Sequence, residues 1–220
     1  MLIVIDGLDG SGKETQARKL VEKFGNNAEY VTFPNYDSKS SELVKMYLNG
    51  EIKAKASDVN PCAASLFYTA DRYISYETQW GKAYKEGKII VADRYTTSNI
   101  IHQMAKMHQS EWMGYINWMF DLEFTKVKLP IPDLVFFLHV PIDVSQRLLA
   151  KRYENDNSKK DIHERDVEYL YRCYDAAMFA AKQLKWVTIE CYNGTNMRSI
   201  DEIHADIVSV LNAYRRQTLK

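Results

Sequence analysis

The chain has 220 residues, 46% of them hydrophobic and 26% charged, which fits one large or two small globular domains and excludes disordered, collagenous and low-complexity architectures. Its 29 Lys+Arg balance 29 Asp+Glu, so the formal charge is zero, which argues against a nucleic acid polymer or an anionic membrane surface as partner. Cys62, Cys173 and Cys191 are dispersed, form no CxxC pair and fit a reducing compartment.

The first apolar run, LIVID at 2–6, is expected as a strand. It is too short to cross a bilayer and no basic leader precedes it, so neither a signal peptide nor a membrane anchor is expected and the protein is placed in the cytoplasm. Residues 7–13, GLDGSGK, lead into a helix over 13–24 whose Ala17, Leu20, Val21 and Phe24 share one face and which Gly25 ends. Further strands are expected at 29–33 (EYVTF), 88–92 (KIIVA), 134–140 (LVFFLHV) and 186–192 (WVTIECY). Helical patterns fill 40–49, 61–86, 96–107, 110–124, 143–152, 164–184 and 200–215. In the helix over 110–124, Trp112, Met113, Ile116, Met119 and Phe120 form an apolar stripe read as core. Pro130 and Pro132 end a helix before the fourth strand, and the polar segment 153–163 reads as a surface loop. Strand alternating with helix implies an α/β fold with right-handed crossovers and a parallel sheet covered on both faces. No linker or repeat divides the chain, so one domain is expected over 1–220.

The spacing G-x-x-x-x-G-K from Gly7 through Gly10, Ser11 and Gly12 to Lys13 follows a strand and opens a helix. Glycines let the backbone wrap a phosphate, successive N–H groups form an anion nest, and the helix N-terminus adds partial positive charge. Lys13 supplies a full charge to a transferring phosphoryl group. After the lysine, the hydroxyl that usually ligates magnesium is replaced by Glu14, with Thr15 next. Either the Glu14 carboxylate takes over as a metal ligand, or it points away and the metal is held elsewhere. The third strand ends in Asp93-Arg94, a carboxylate for metal and a guanidinium for a second phosphate at the sheet edge where ligands bind. No N/T-K-x-D base-reading motif of a GTP switch is present, and a small-molecule kinase fits best.

The ordered set GLDGSGKET, FPNY (33–36), SLFYTADRY (65–73), ADRYTTSNIIHQ (92–103), PDLVFFLHV (132–140) and a basic stretch around 147–164 resembles the thymidylate kinase family. The resemblance implies a P-loop kinase-type three-layer fold, with a five-stranded parallel sheet, helices on both faces and a basic lid. It implies transfer of phosphate from ATP to dTMP with Mg2+, in a homodimer. By resemblance, Asp9 holds the 3′-hydroxyl of the sugar, Tyr68 stacks on thymine and Arg72 reads its O4. Arg94 grips the acceptor phosphate, with Asp93 beside the magnesium. Ser98 follows on the next helix, Asn99 and His102 match positions near the sugar, and Gln103 one near the base. Phe33, Pro34 and Tyr36 match a phosphate-contacting segment in which Asn35 replaces a common arginine. Without these motifs, Tyr68 would read as core packing and Arg72 as a surface ion pair with Asp71.

The loop has no arginine beside Asp9, so the resemblance assigns the catalytic guanidinium to a mobile lid near 147–164. Arg152 is the first candidate and Arg147 the second, with Lys151, Lys159 and Lys160 adding charge and Asp161 and Glu164 matching the family's acidic pair. The rival readings are another nucleoside monophosphate or deoxynucleoside kinase and, because of Glu14, a weakly catalytic nucleotide-binding regulatory protein.

Overall fold

The computed structural model describes residues 1–152, 166–194 and 196–218. In chain order its first half holds β1 (Leu2–Gly7), α1 (Lys13–Phe24), β2 (Ala28–Thr32), α2 (Glu42–Leu48), α3 (Pro61–Ser75), α4 (Gly81–Lys85), β3 (Ile89–Asp93) and α5 (Thr96–Met104). Then come α6 (Trp112–Phe120), β4 (Leu134–His139), α7 (Ile142–Arg152), α8 (Val167–Gln183), β5 (Val187–Glu190), a hairpin of β6 (Tyr192–Asn193) and β7 (Asn196–Met197), and α9 (Ile200–Thr218). The five expected strands are present and form one parallel sheet in the order β2-β3-β1-β4-β5. Strand β5 ends earlier than its apolar run: Tyr192–Asn193 turns back antiparallel onto Asn196–Met197.

The unbroken apolar runs become strands because both faces of the sheet are covered. On one face Ile3, Ile5 and Phe136 pack with Ala17 and Leu20 of α1 and with Ile203, Ile207 and Leu211 of α9. Val21 and Phe24 lie against the same cluster, so the expected inner face of α1 is the inner face. On the other face Leu2, Val4, Ile90 and Ala92 meet Trp80, Tyr95 and Leu129. A third cluster joins α5, α6 and α8 through Ile101, Met104, Ile116, Met119, Tyr169 and Cys173. A fully buried side chain such as Ile5 contributes about 1.5–3 kcal/mol relative to exposure, so this packing holds the ends of β1 and β3 firmly in place.

Two expected helices are not continuous. The stretch 61–86 is interrupted by a π-helical turn at Tyr76–Trp80, and α6 passes into another at Asp121–Lys126. Gly81 permits the first: a Cβ there would lie 2.4 Å from the Tyr76 carbonyl oxygen. The apolar stripe on α6 divides, with Trp112, Ile116 and Met119 buried and Met113 exposed. Among the described residues no helix is long and apolar enough to cross a membrane. The expected loop and lid at 153–163, with Lys159, Lys160, Asp161 and Glu164, lies outside the described residues, as do the side chains of Lys151 and Arg152.

Candidate active site

The carboxyl ends of β1 and β3 open on a cavity of about 840 Å³. The chain leaves β1 so close to β4 that a Cβ on Gly7 would sit 2.7 Å from the Leu138 carbonyl oxygen, which is why glycine stands there. Gly12, in the left-handed region at φ 86°, caps α1 and aims its first turn into the cavity. Asp9, Gly10, Gly12, Lys13, Glu14 and Thr15 line the space, whereas Gly7 and Ser11 do not. Ser11 is buried, and its hydroxyl has no hydrogen-bond partner among the described residues. The Lys13 ammonium donates to the Leu8 carbonyl at 3.0 Å and lies 3.7 Å from Asp9. Burial, helped by the nearby Arg94 guanidinium, pulls the Lys13 pKa below the usual lysine range, with Asp9 and Asp93 opposing.

At the end of β3, Arg94 adopts φ 67°, a left-handed conformation that costs a non-glycine residue about 1 kcal/mol or more and recurs at functional sites. Its N–H donates to the Ile5 carbonyl at 3.1 Å, which ties the turn to β1. Its guanidinium donates to the Asp9 carboxylate, to Ser98 Oγ at 3.3 Å and to His102 Nε2 at 3.4 Å. Ser98 and Thr97 in turn donate to Asp6, which is fully buried at the end of β1. Burial works against the Arg94 charge, but Asp9, Asp6 and Asp93 overcome it and hold its pKa above the ordinary arginine value. Burial and the same guanidinium push His102 down to about 4, so its imidazole is neutral at physiological pH. Asp93 accepts from the Tyr30 hydroxyl at 3.2 Å through one oxygen, while its buried Oδ1 has no partner among the described residues. Burial raises the Asp93 pKa, with Lys13 and Arg94 pulling the other way.

Other elements complete the cavity. Phe33, Pro34 and Tyr36 enter it from the segment after β2, and Tyr68 and Arg72 from one face of α3. Asn99, His102 and Gln103 come from α5. Arg72 does not make a surface pair with Asp71: it is buried and binds Glu123 through both Nε and Nη2. Asp71 instead anchors the 33–36 segment, accepting from the Asn35 N–H at 2.9 Å and from Ser40. The Asn35 side chain is turned to Gln79. Gln103 is fully buried, and both atoms of its amide lack partners among the described residues.

Of the sequence-predicted residues, Arg147 does not line the cavity, although Leu148 beside it does. Tyr30, Thr32, Asp37, Leu48 and Tyr95 also line it and were not expected. Asp6 was detectable in principle, as the one charge in an apolar strand. Glu14 lies on the rim, half exposed, with its carboxylate 2.9 Å from Arg18 Nε. Among the described residues no cluster of three or more His, Cys, Asp or Glu could hold a metal. Magnesium, however, is usually bound by one or two carboxylates together with substrate phosphates, and the orphaned Asp93 Oδ1 fits that role.

A parallel sheet with a glycine-rich phosphate loop at its edge, Lys13 opening α1 and Asp93-Arg94 across the cavity together define a P-loop nucleoside monophosphate kinase. The pattern of the family described as "Thymidylate kinase" matches residues 5–207, and the chain belongs to that family. It is 31% identical over 212 residues to the thymidylate kinase of Homo sapiens, covering 94% of this chain and 87% of that one. To the thymidylate kinase of Mycobacterium tuberculosis H37Rv it is 30% identical over 177 residues, covering 78% and 81%. Its fold superposes on the solved thymidylate kinase of Candida albicans with a TM-score of 0.72 at 21% identity, over 97% of this chain and 92% of that one.

Proposed function

We propose that this cavity transfers the γ-phosphoryl group of ATP to dTMP, giving ADP and dTDP, within a single domain over 1–220 that has a lid near 147–164. The observation that carries the reading is the convergence of three groups on one cavity: the loop with Lys13, the Asp93-Arg94 pair, and a wall of Tyr68, Arg72, Asn99 and Gln103. The nucleophile is an ionised phosphate oxygen, so no general base is required and catalysis consists of positioning and charge compensation. The loop N–H groups and Lys13 hold the donor phosphates. Arg94 exchanges Asp9 for the acceptor phosphate, which frees Asp9 to accept from the 3′-hydroxyl. Ser98 steadies Arg94 during this exchange, and Asn99 and neutral His102 face the sugar. Tyr68 stacks on thymine, Arg72 donates to its O4, and the Gln103 amide offers a donor and an acceptor to the imide edge. Arg152, or Arg147 in its place, brings a guanidinium to the transferring group as the lid closes and excludes water.

Magnesium, when bound, neutralises charge on the donor phosphates. Asp93 would hold it, joined by Glu14 once Glu14 releases Arg18. We further propose a homodimer acting in the cytoplasm; exposed Leu66, Tyr73 and Ile74 on α3 are side chains that a second copy could cover. The test of the activity is product analysis with ATP, dTMP and magnesium. Equimolar ADP and dTDP are expected, and ADP without dTDP, or neither, contradicts the reading.

A further inference from the structure

Glu123 is the one fully buried carboxylate in the region where α6 passes into its π-helical turn. It accepts from Arg72 through both carboxylate oxygens, from Thr69 Oγ1 at 2.8 Å and from Thr96 Oγ1, so residues of α3 and α5 converge on it. The π-turn carries the bond from the Val127 N–H to the Leu122 carbonyl at 2.9 Å, five residues back. Such turns appear often at functional sites, and this one turns a glutamate into the interior from a helix end.

Stability alone does not explain the arrangement. An ion pair with both partners this buried is often matched or bettered by apolar residues of the same volume. Arg72, however, also lines the cavity. Glu123 occupies the Nε–Nη2 edge, and a guanidinium carries only donors, so the N–H groups left for the cavity can meet an acceptor but not another donor. A pyrimidine 4-oxo group satisfies them; a 4-amino group sets donor against donor and leaves buried polar atoms unpaired.

We infer that Glu123 is the positioning residue for base choice: it fixes the Arg72 guanidinium in the one orientation that accepts a 4-oxo pyrimidine and rejects a 4-amino pyrimidine. This rests on the reading that Arg72 faces the acceptor base. Thr69 and Thr96 complete the device by using the carboxylate's remaining acceptor capacity, so that the carboxylate itself cannot rotate.

The experiment compares wild type, Glu123→Gln, Arg72→Met and the double variant. It measures KM for dTMP, KM for ATP, the rate ratio of dTMP to dCMP and thermal stability. Glu123→Gln is expected to raise KM for dTMP about tenfold, to lower the dTMP:dCMP ratio and to leave KM for ATP within about twofold. In the Arg72→Met background the same change should move KM for dTMP less than about twofold, because Glu123 acts through Arg72. If Arg72→Met raises KM for dTMP while Glu123→Gln does not, the positioning role is wrong and the base reading stands. If Arg72→Met leaves KM for dTMP unchanged, the base reading itself fails. Should Glu123→Gln not fold, Thr96→Val, which keeps the ion pair, carries the test: a selective rise in KM for dTMP supports the inference and an unchanged KM overturns it.

Discussion

The two ends of the cavity hold their charges in opposite ways. At the phosphate end, Arg94 and Lys13 share the partly exposed Asp9, and Asp93 keeps a buried oxygen without a partner among the described residues. At the end proposed for the base, Arg72 and Glu123 form a buried pair, and two threonines saturate the carboxylate while Arg72 keeps N–H groups for the cavity. The first end is built from contacts that a substrate phosphate or a metal can replace. The second, if it receives the base as proposed, has its charges already paired within the protein. Charge compensation that develops along a reaction needs the former, and discrimination between similar rings needs the latter.

The sharpest way to break this contrast is at the phosphate end. Lys13→Ala and Arg94→Ala are each expected to lower kcat by more than about tenfold, at least about 1.4 kcal/mol at the transition state. Rates near wild type in steady-state assays would remove both from the phosphate site. Arg152→Ala is expected to lower kcat several-fold while leaving the Kd for dTMP in calorimetry unchanged, since the contact proposed for it forms only on lid closure. An unchanged kcat would pass the role to Arg147.

His102 sharpens the comparison through pH. Its folded pKa of about 4 lies below the unfolded value of about 6.5, so the unfolded chain binds more protons between them and stability falls as pH drops through that window. From pH 7 to pH 5 this one group removes about 2 kcal/mol of unfolding free energy. Urea titrations should show that extra loss in wild type and not in His102→Gln; equal losses would mean that His102 is not held neutral. The smallest effect is expected at Glu14, which is half exposed and already paired with Arg18. Glu14→Gln should raise the magnesium concentration for half-maximal rate about two- to threefold, and Glu14→Thr should keep substantial activity. Superimposable magnesium titrations for wild type and Glu14→Gln would leave Asp93 as the protein's metal ligand.

The phosphate end was far more legible in the sequence than the base end. Glycine spacing after a strand, a lysine at a helix start and a charged pair closing an apolar strand are local patterns, and each maps to one backbone geometry. The strands were legible for the same reason: runs such as LVFFLHV have no polar side to present to water. Glu123 had no such signal, since a lone glutamate near a helix end reads as solvated. Its burial follows from the π-turn, which breaks the periodicity that placed the residue. The local alternative for Arg72, a surface pair with Asp71, fails for the same reason. Adjacent Asp71 was the local choice, whereas tertiary packing brought a carboxylate from 51 positions away.

The most direct test of the two-ended account is one matched set of initial-rate titrations of dTMP at saturating ATP and magnesium for wild type, Arg94→Ala and Arg72→Ala. The account predicts that Arg94→Ala loses mainly kcat, because its guanidinium changes partner during the reaction. It predicts that Arg72→Ala loses mainly KM, because its contact is the same in the ground and transition states. Two variants that lose the same parameter in the same proportion would contradict it.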